Sequence, residues 1–202
     1  METPTKSNDP ALRLVQKLGI VRPADLERQG VPRRHLYRLL RQGFIDRQSR
    51  GVYVAREHAL TEGHSLAQVS KRVPSAVICL LTALRVHELT TQNPAEVWIA
   101  LPEKARRPSL DYPRLRVARF SGGALTEGIE TRRIEGVTVR MYSAAKTVAD
   151  CFKYRNKLGI DVAIEALQEF SRRHRGGATD LARYAKICRV GRVMQPYLDA
   201  IS

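Results

Sequence analysis

The sequence predicts an α+β protein in two parts, and three observations predict it. A pair of short helices joined by a glycine turn, the second rich in arginine, runs directly into a β-hairpin pattern by residue 54. Four β-like runs follow between residues 97 and 142. From residue 144 onward apolar residues recur at helical spacing. The expected architecture is an N-terminal winged helix-turn-helix over residues 1–60, then a C-terminal α+β domain over 61–202 built from a small, mostly antiparallel sheet and helices.

Residues 1–9 read as a frayed tail. Asp9 suits a helix cap with Pro10 at the first position, and Leu12, Val15 and Leu18 space a short apolar face that Gly19 ends. Pro23–Gln29 forms a second short helix closed by Gly30. The helix around which this part is organised spans Pro32–Gln42. Leu36, Leu39 and Leu40 form its apolar stripe, and at 3.6 residues per turn the opposite side carries Arg34, Arg38 and Arg41, with Tyr37 and Gln42 on its shoulders. Phe44–Ile45 and Val52–Val54 are β-formers, and the polar stretch Arg47–Gly51 between them reads as the hairpin turn. Seven arginines and one acid, Asp46, lie between Arg28 and Arg50. Leu36, Leu39, Leu40, Phe44, Ile45 and Tyr53 are most simply core, and His35 a flank residue.

A polar connection at Glu57–Gly63 marks the expected boundary. A helix over Ser65–Arg72 is broken by Pro74. Ser75–Leu89 reads as a buried helix with a short extended entry. The β-like runs are Val97–Leu101, Leu115–Phe120, Ile129–Ile134 and Val137–Tyr142, the last two separated by the hairpin-sized Glu135-Gly136. In the last run Val137, Val139 and Met141 alternate with Thr138, Arg140 and Tyr142, which predicts one core face and one solvated or basic face. Gly122-Gly123 reads as a turn. Ser143 caps a helix over Ala144–Tyr154; further helices run over Ile160–Arg173, with Ile164, Leu167 and Phe170 inward, over Asp180–Cys188 and over Arg192–Ala200.

With 35 Lys and Arg against 20 Asp and Glu, a formal net charge of +15 favours a polyanionic partner such as DNA. No run approaches the roughly 18 apolar residues that a membrane span needs, and the first ten residues lack the apolar core of a signal peptide. A cytoplasmic protein without a membrane partner is therefore expected. Cys79, Cys151 and Cys188 are far apart and lack CxxC spacing, as ordinary buried thiols do.

Neither metalloprotease, phosphate-loop, nucleophile-elbow nor dinucleotide motifs occur, and the five histidines have no metal spacing. No catalytic residue, metal or cofactor is expected. One polar constellation stands out: Lys146, Thr147, Asp150, Lys153 and Arg155, with Lys146 and Asp150 four apart on one helix face. It reads either as a site for a phosphate or acidic group or as a surface ion pair behind a capped helix start, and the pattern favours the latter. Asp111, Glu130 and Asp150 have no spacing that asks for a nuclease metal site.

Three blocks carry a family resemblance. They are Gly30–Leu36 through Arg50–Tyr53; Ala83–Thr90 with Glu96–Pro102; and Tyr142–Arg155 with Leu158–Asp161 and Pro196–Leu198. On these the chain resembles the AbiEi-type antitoxin and transcriptional-regulator family of bacterial type IV toxin–antitoxin systems. The resemblance implies a repressor that binds inverted repeats in its own promoter. It also implies a C-terminal domain opposing a cognate nucleotidyltransferase-like toxin without a stable complex. It assigns no role to Lys146 or Asp150. A monomer in solution that binds cooperatively on double-stranded DNA is expected. Arg34 and Arg38 are the candidates for base contacts; Arg33, Arg41, Arg47 and Arg50 for phosphate contacts, with Tyr37 on the same surface. Two other readings stay open: a free-standing winged-helix regulator, and a nucleic-acid-processing enzyme delivered by the N-terminal domain.

Overall fold

Proline and glycine punctuation sets the first three helices. The computed structural model describes residues 9–56, 63–110 and 112–200. The expected tail at 1–8, most of the polar connection at 57–62 and Asp111 lie outside the described residues. Helix α1 spans Pro10–Leu18, with the Asp9 carboxylate accepting the Ala11 amide at 2.9 Å and Gly19 closing it at φ 73°. Helix α2 spans Pro23–Glu27, and Gly30, at φ 74°, makes the turn into α3, Arg33–Arg41. Strands β1, Ile45–Ser49, and β2, Val52–Ala55, pair antiparallel.

The hairpin differs from expectation at its tip. Arg47 and Gln48 belong to the strand, Arg47 opposite Tyr53, and the turn shrinks to Arg50-Gly51 with Gly51 at φ 74°. Antiparallel pairing satisfies the backbone groups that a longer polar turn would leave to solvent. A register irregularity between Arg47 and Ser49 accommodates it.

The described chain clusters into two compact units. The first takes in the described residues through Pro74 together with Leu110, Tyr112, Pro113 and Arg132–Val139. Its main core joins Leu12 and Val15 of α1, Leu26 of α2, Leu36 and Leu39 of α3, and Ile45 and Tyr53 of the hairpin. Val21 and Tyr53 exchange both backbone hydrogen bonds at 2.9 Å, which seats the α1–α2 connection on β2. Helix α4, His64–Arg72, adds Ala67 to a second cluster with Ile20, Val52 and Val137.

Asp25 ties α2 to α4. Its carboxylate accepts the Arg22 amide and Lys71 Nζ, both at 2.7 Å. Burial pushes the Asp25 carboxyl up, but those two bonds and the Lys71 charge more than offset it and hold it below the usual range. Asp25→Ala is expected to cost about 1–2 kcal/mol at neutral pH, the loss of a cap and its ion pair. A carboxyl lowered in the folded state stabilises above its unfolded value, about 3.9, and loses that contribution as pH falls through the folded one. The difference between wild type and variant in urea unfolding should therefore shrink as pH drops below about 4.

The second unit comprises Ser75–Ser109, Arg114–Thr131 and Arg140–Ser202, of which all but residues 201–202 are described. Strands β3 (Val77–Ile78), β4 (Val97–Pro102), β5 (Leu115–Phe120), β6 (Ile129–Ile134) and β7 (Val137–Tyr142) form a sheet in the order β5-β4-β3-β7-β6. The sheet is mixed and not mostly antiparallel: β4 pairs parallel with β5 and β3 with β7, while β3 and β4 run antiparallel. The chain between β4 and β5 returns by a crossover, which is what a parallel neighbour requires. The short extended entry before residue 80 proves to be the central strand, and helix α5 follows only over Leu80–Val86.

Between β5 and β6 the expected turn at Gly122-Gly123 opens a short helix, α6, Gly123–Thr126. At the β6–β7 turn Glu135 and Gly136 take φ 47° and 74°. A Cβ on Gly136 would stand 2.4 Å from the Leu18 carbonyl oxygen, so only glycine fits. Helices α7 (Ala144–Lys153), α8 (Arg155–Leu158), α9 (Ile160–Arg173), α10 (Ala178–Cys188) and α11 (Gly191–Asp199) complete the unit. On α9 the inward stripe is Val162, Ala163, Ala166, Leu167 and Phe170, and Ile164 is only half-buried. Every residue of α7 from Ala144 to Phe152 is buried. Among the described residues no helix is long and apolar enough to cross a membrane.

Candidate nucleic-acid interface

Helix α3 is held by what it buries. Leu36 and Leu39 are fully buried, Leu40 and His35 half-buried. The other side carries Arg33, Arg34, Tyr37 and Arg41, all exposed, and Arg38, half-buried. Tyr37 is 43% exposed and meets the buried Tyr53 edge-on at 6.4 Å between centroids, so its ring is braced against β2 with its outer edge in solvent. Arg34 and Arg41 have no ion-pair partner among the described residues, and Arg33 only a loose one, 4.0 Å from the exposed Glu27. Among the described residues no acid neutralises Arg34 or Arg41.

Arg38 is placed differently from its neighbours. Its Nη2 donates to Asp9 Oδ2, and its Nε is buried without a partner among the described residues. In the sequence Asp9 reads only as a helix cap. The two residues are 29 apart, and no local pattern signals their pairing.

The hairpin brings two more cations. Arg47 is exposed on β1, with Nε 3.4 Å from the Ser49 carbonyl oxygen. Arg50 is exposed at the tip, and its own carbonyl accepts Arg72 Nη1 at 2.6 Å, which fixes the turn to α4. Arg56 pairs with Asp46 at 3.3 Å, so the single acid of this arginine-rich stretch is already engaged. The arrangement is a set of exposed guanidinium heads on a backbone held by its core and hairpin pairing, suited to phosphate oxygens and base edges.

The second candidate cluster is not a surface feature. Lys146 and Asp150 are completely buried, with Nζ 2.7 and 2.6 Å from the two carboxylate oxygens. The Lys146 ammonium also lies 4.0 Å from the centroid of Tyr142 and 5.1 Å from that of Phe120. Asp150 accepts Cys188 Sγ at 3.2 Å as well. Burial pushes the Asp150 carboxyl up against the opposing pull of Lys146, and pushes the Cys188 thiol up to about 12. The surface ion pair that the pattern favoured is thus corrected: α7 is enclosed on all sides, which a lysine and an aspartate in its sequence do not announce.

The rest of that constellation separates. Lys153 is exposed, and Arg155 donates to the Phe152 carbonyl at 2.9 Å. Tyr142, expected on the solvated face of β7, is fully buried, because the end of the strand meets α6 and α7; its hydroxyl donates to the Leu125 carbonyl at 2.8 Å. Of the three weighed carboxylates, Asp111 lies outside the described residues, Glu130 is exposed on β6 and Asp150 is committed to Lys146. Cys79, Cys151 and Cys188 are free and buried.

Residues 9–56 match the family model described as transcriptional regulator, AbiEi antitoxin. Over those residues the chain is similar to the AbiEi family. The segment begins at the Asp9 cap and ends just past β2, so it coincides with the helices and hairpin that display the arginines. It covers about a quarter of the chain and the first of the three resembling blocks. No curated protein matches the chain. Helices α2 and α3 of that segment are compatible with a helix-turn-helix.

Proposed function

We propose that the protein is a cytoplasmic, sequence-specific repressor of its own operon, reading DNA through a winged helix-turn-helix, and a type IV antitoxin. The exposed arginine face of α3 carries this reading. Leu36 and Leu39 anchor the helix, and Arg34 and Arg41 point away with no partner among the described residues. Helix α3 lies in the major groove with Arg34 and Arg38 at base edges. Arg33, Arg41 and Tyr37 contact the backbone beside it, and the β1–β2 hairpin acts as the wing, placing Arg47 and Arg50 on phosphates. The protein is a monomer in solution and binds inverted repeats cooperatively. Residues 61–202 form the antitoxin domain, which opposes a nucleotidyltransferase-like toxin without a stable complex.

Titration of the purified protein into its own upstream duplex and a scrambled one, at several salt concentrations, tests the DNA half. The operator should bind tightly and outlast the scrambled duplex as salt rises. Equal, steeply salt-sensitive binding to both means the +15 charge acts alone. Arg50→Ala should weaken both duplexes alike and flatten the salt slope by about one unit. Co-expression with a neighbouring nucleotidyltransferase-like gene tests the other half: growth rescue by the full chain supports it, and unrelieved toxicity overturns it.

A further inference from the structure

We propose that Asp9 is a specificity-determining positioning residue, which fixes the Arg38 guanidinium for base reading; this rests on the DNA-binding function proposed above. The geometry is a relay of two bonds. Asp9 Oδ1 accepts the Ala11 amide at 2.9 Å, so the carboxylate is locked to the backbone at the start of α1. Its other oxygen accepts Arg38 Nη2 from the middle of α3. Arg38 Nε is buried without a partner among the described residues, while the side chain as a whole remains 42% exposed. Among the described residues Nη1 and the second Nη2 hydrogen have no hydrogen-bond partner, which leaves them to donate outward.

A bare arginine must order its long side chain when it meets a base. Arg38 has that ordering done in the folded protein, which reduces the cost of binding and narrows the directions it can donate. Arg34, four residues earlier on the same face, has no such brace. A carboxylate next to a DNA-facing helix also repels phosphate. Asp9 therefore lowers affinity for any duplex and raises the preference for the right one, and the two effects can be separated.

The test uses the full chain carrying Asp9→Asn, Arg38→Ala, or both, titrated against the upstream and scrambled duplexes. Asparagine caps helices as well as aspartate does, so α1 stays intact; Asp9→Ser, which keeps a cap and has no carboxylate, is run alongside. Asp9→Asn and Asp9→Ser should lower the ratio of operator to scrambled affinity by about fivefold, as loss of a partly formed arginine–base contact does. Scrambled binding should hold or rise. In the Arg38→Ala background the Asp9 substitutions should leave the ratio unchanged. The inference is overturned if both duplexes gain affinity equally, which is plain charge removal, or if the Asp9 effect persists without Arg38. Failure of the wild type to prefer its upstream duplex is a separate result, which overturns the DNA reading itself and this inference with it.

Discussion

Asp150→Ala is expected to destabilise the second unit by about 3–5 kcal/mol, the cost of stranding one member of a buried ion pair. Lys146 is 0% exposed, and the variant leaves its ammonium among Tyr142, Phe120 and the carboxylate's empty place. Trp98, the only tryptophan, sits in β4 within the same core, so its fluorescence in a urea titration reports this unit directly. Lys146→Met removes the other partner, and its pH dependence has a definite sign. Burial already raises the Asp150 carboxyl, and Lys146 is the first of the groups that lower it. Without the lysine the folded-state value climbs further. A carboxyl raised in the folded state contributes stability at low pH that is lost as pH rises through that value. Lys146→Met should therefore unfold more easily at pH 8 than at pH 5, relative to wild type. Replacing both residues by apolar ones of similar volume should recover most of the loss, since the pair's attraction and its desolvation nearly cancel. A double variant as unstable as the sum of the singles would show that α7 needs the charges themselves.

Arg34→Ala should weaken binding to the upstream duplex by about 1–3 kcal/mol, roughly 5- to 150-fold, and relax preference at one base position. Arg34 stands in the first turn of α3, the end of a recognition helix that reaches base edges. Scrambled-duplex affinity should fall far less, by one phosphate contact's worth. Unchanged operator affinity would refute the docking of α3 in the major groove. A parallel loss on both duplexes would move Arg34 to the backbone contacts with Arg33 and Arg41. The side chain is solvent-exposed and anchors nothing, so folding should be unaffected.

Where local chemistry decides the structure, the sequence was readable. Pro32, Gly43 and the Leu36–Leu39 spacing locate α3 to within a residue at each end. The strands β5, β6 and β7 match their β-like runs residue for residue. Legibility failed where distant segments decide. Val77 and Ile78 are two residues inside an apolar stretch, and only their pairing with Ile99 and Met141 makes them the central strand. Lys146 and Asp150 read as surface residues because burial of the charged pair depends on Phe120 and Cys188, far along the chain, and on Tyr142, which lies in β7 before the helix begins. The arginine face of the candidate site was legible as composition and period. The Asp9 brace on Arg38 was not, since it joins the start of one helix to the middle of another.

The first unit is not a continuous piece of chain, and this bears on how the protein can be cut and recombined. Residues 132–139 cluster with the described residues through Pro74, where Val137 packs on Ile20, Val52 and Ala67 and Gly136 abuts the Leu18 carbonyl. A fragment ending at Pro74 leaves that apolar cluster open to water. Fusions that graft the first unit onto another protein therefore need the 132–139 hairpin tip, or an apolar substitute for it, to travel with the N-terminal stretch. Homologous exchange by simple crossover near residue 74 would separate residues that depend on each other. Inheritance of the first unit is for that reason tied to the chain that follows it.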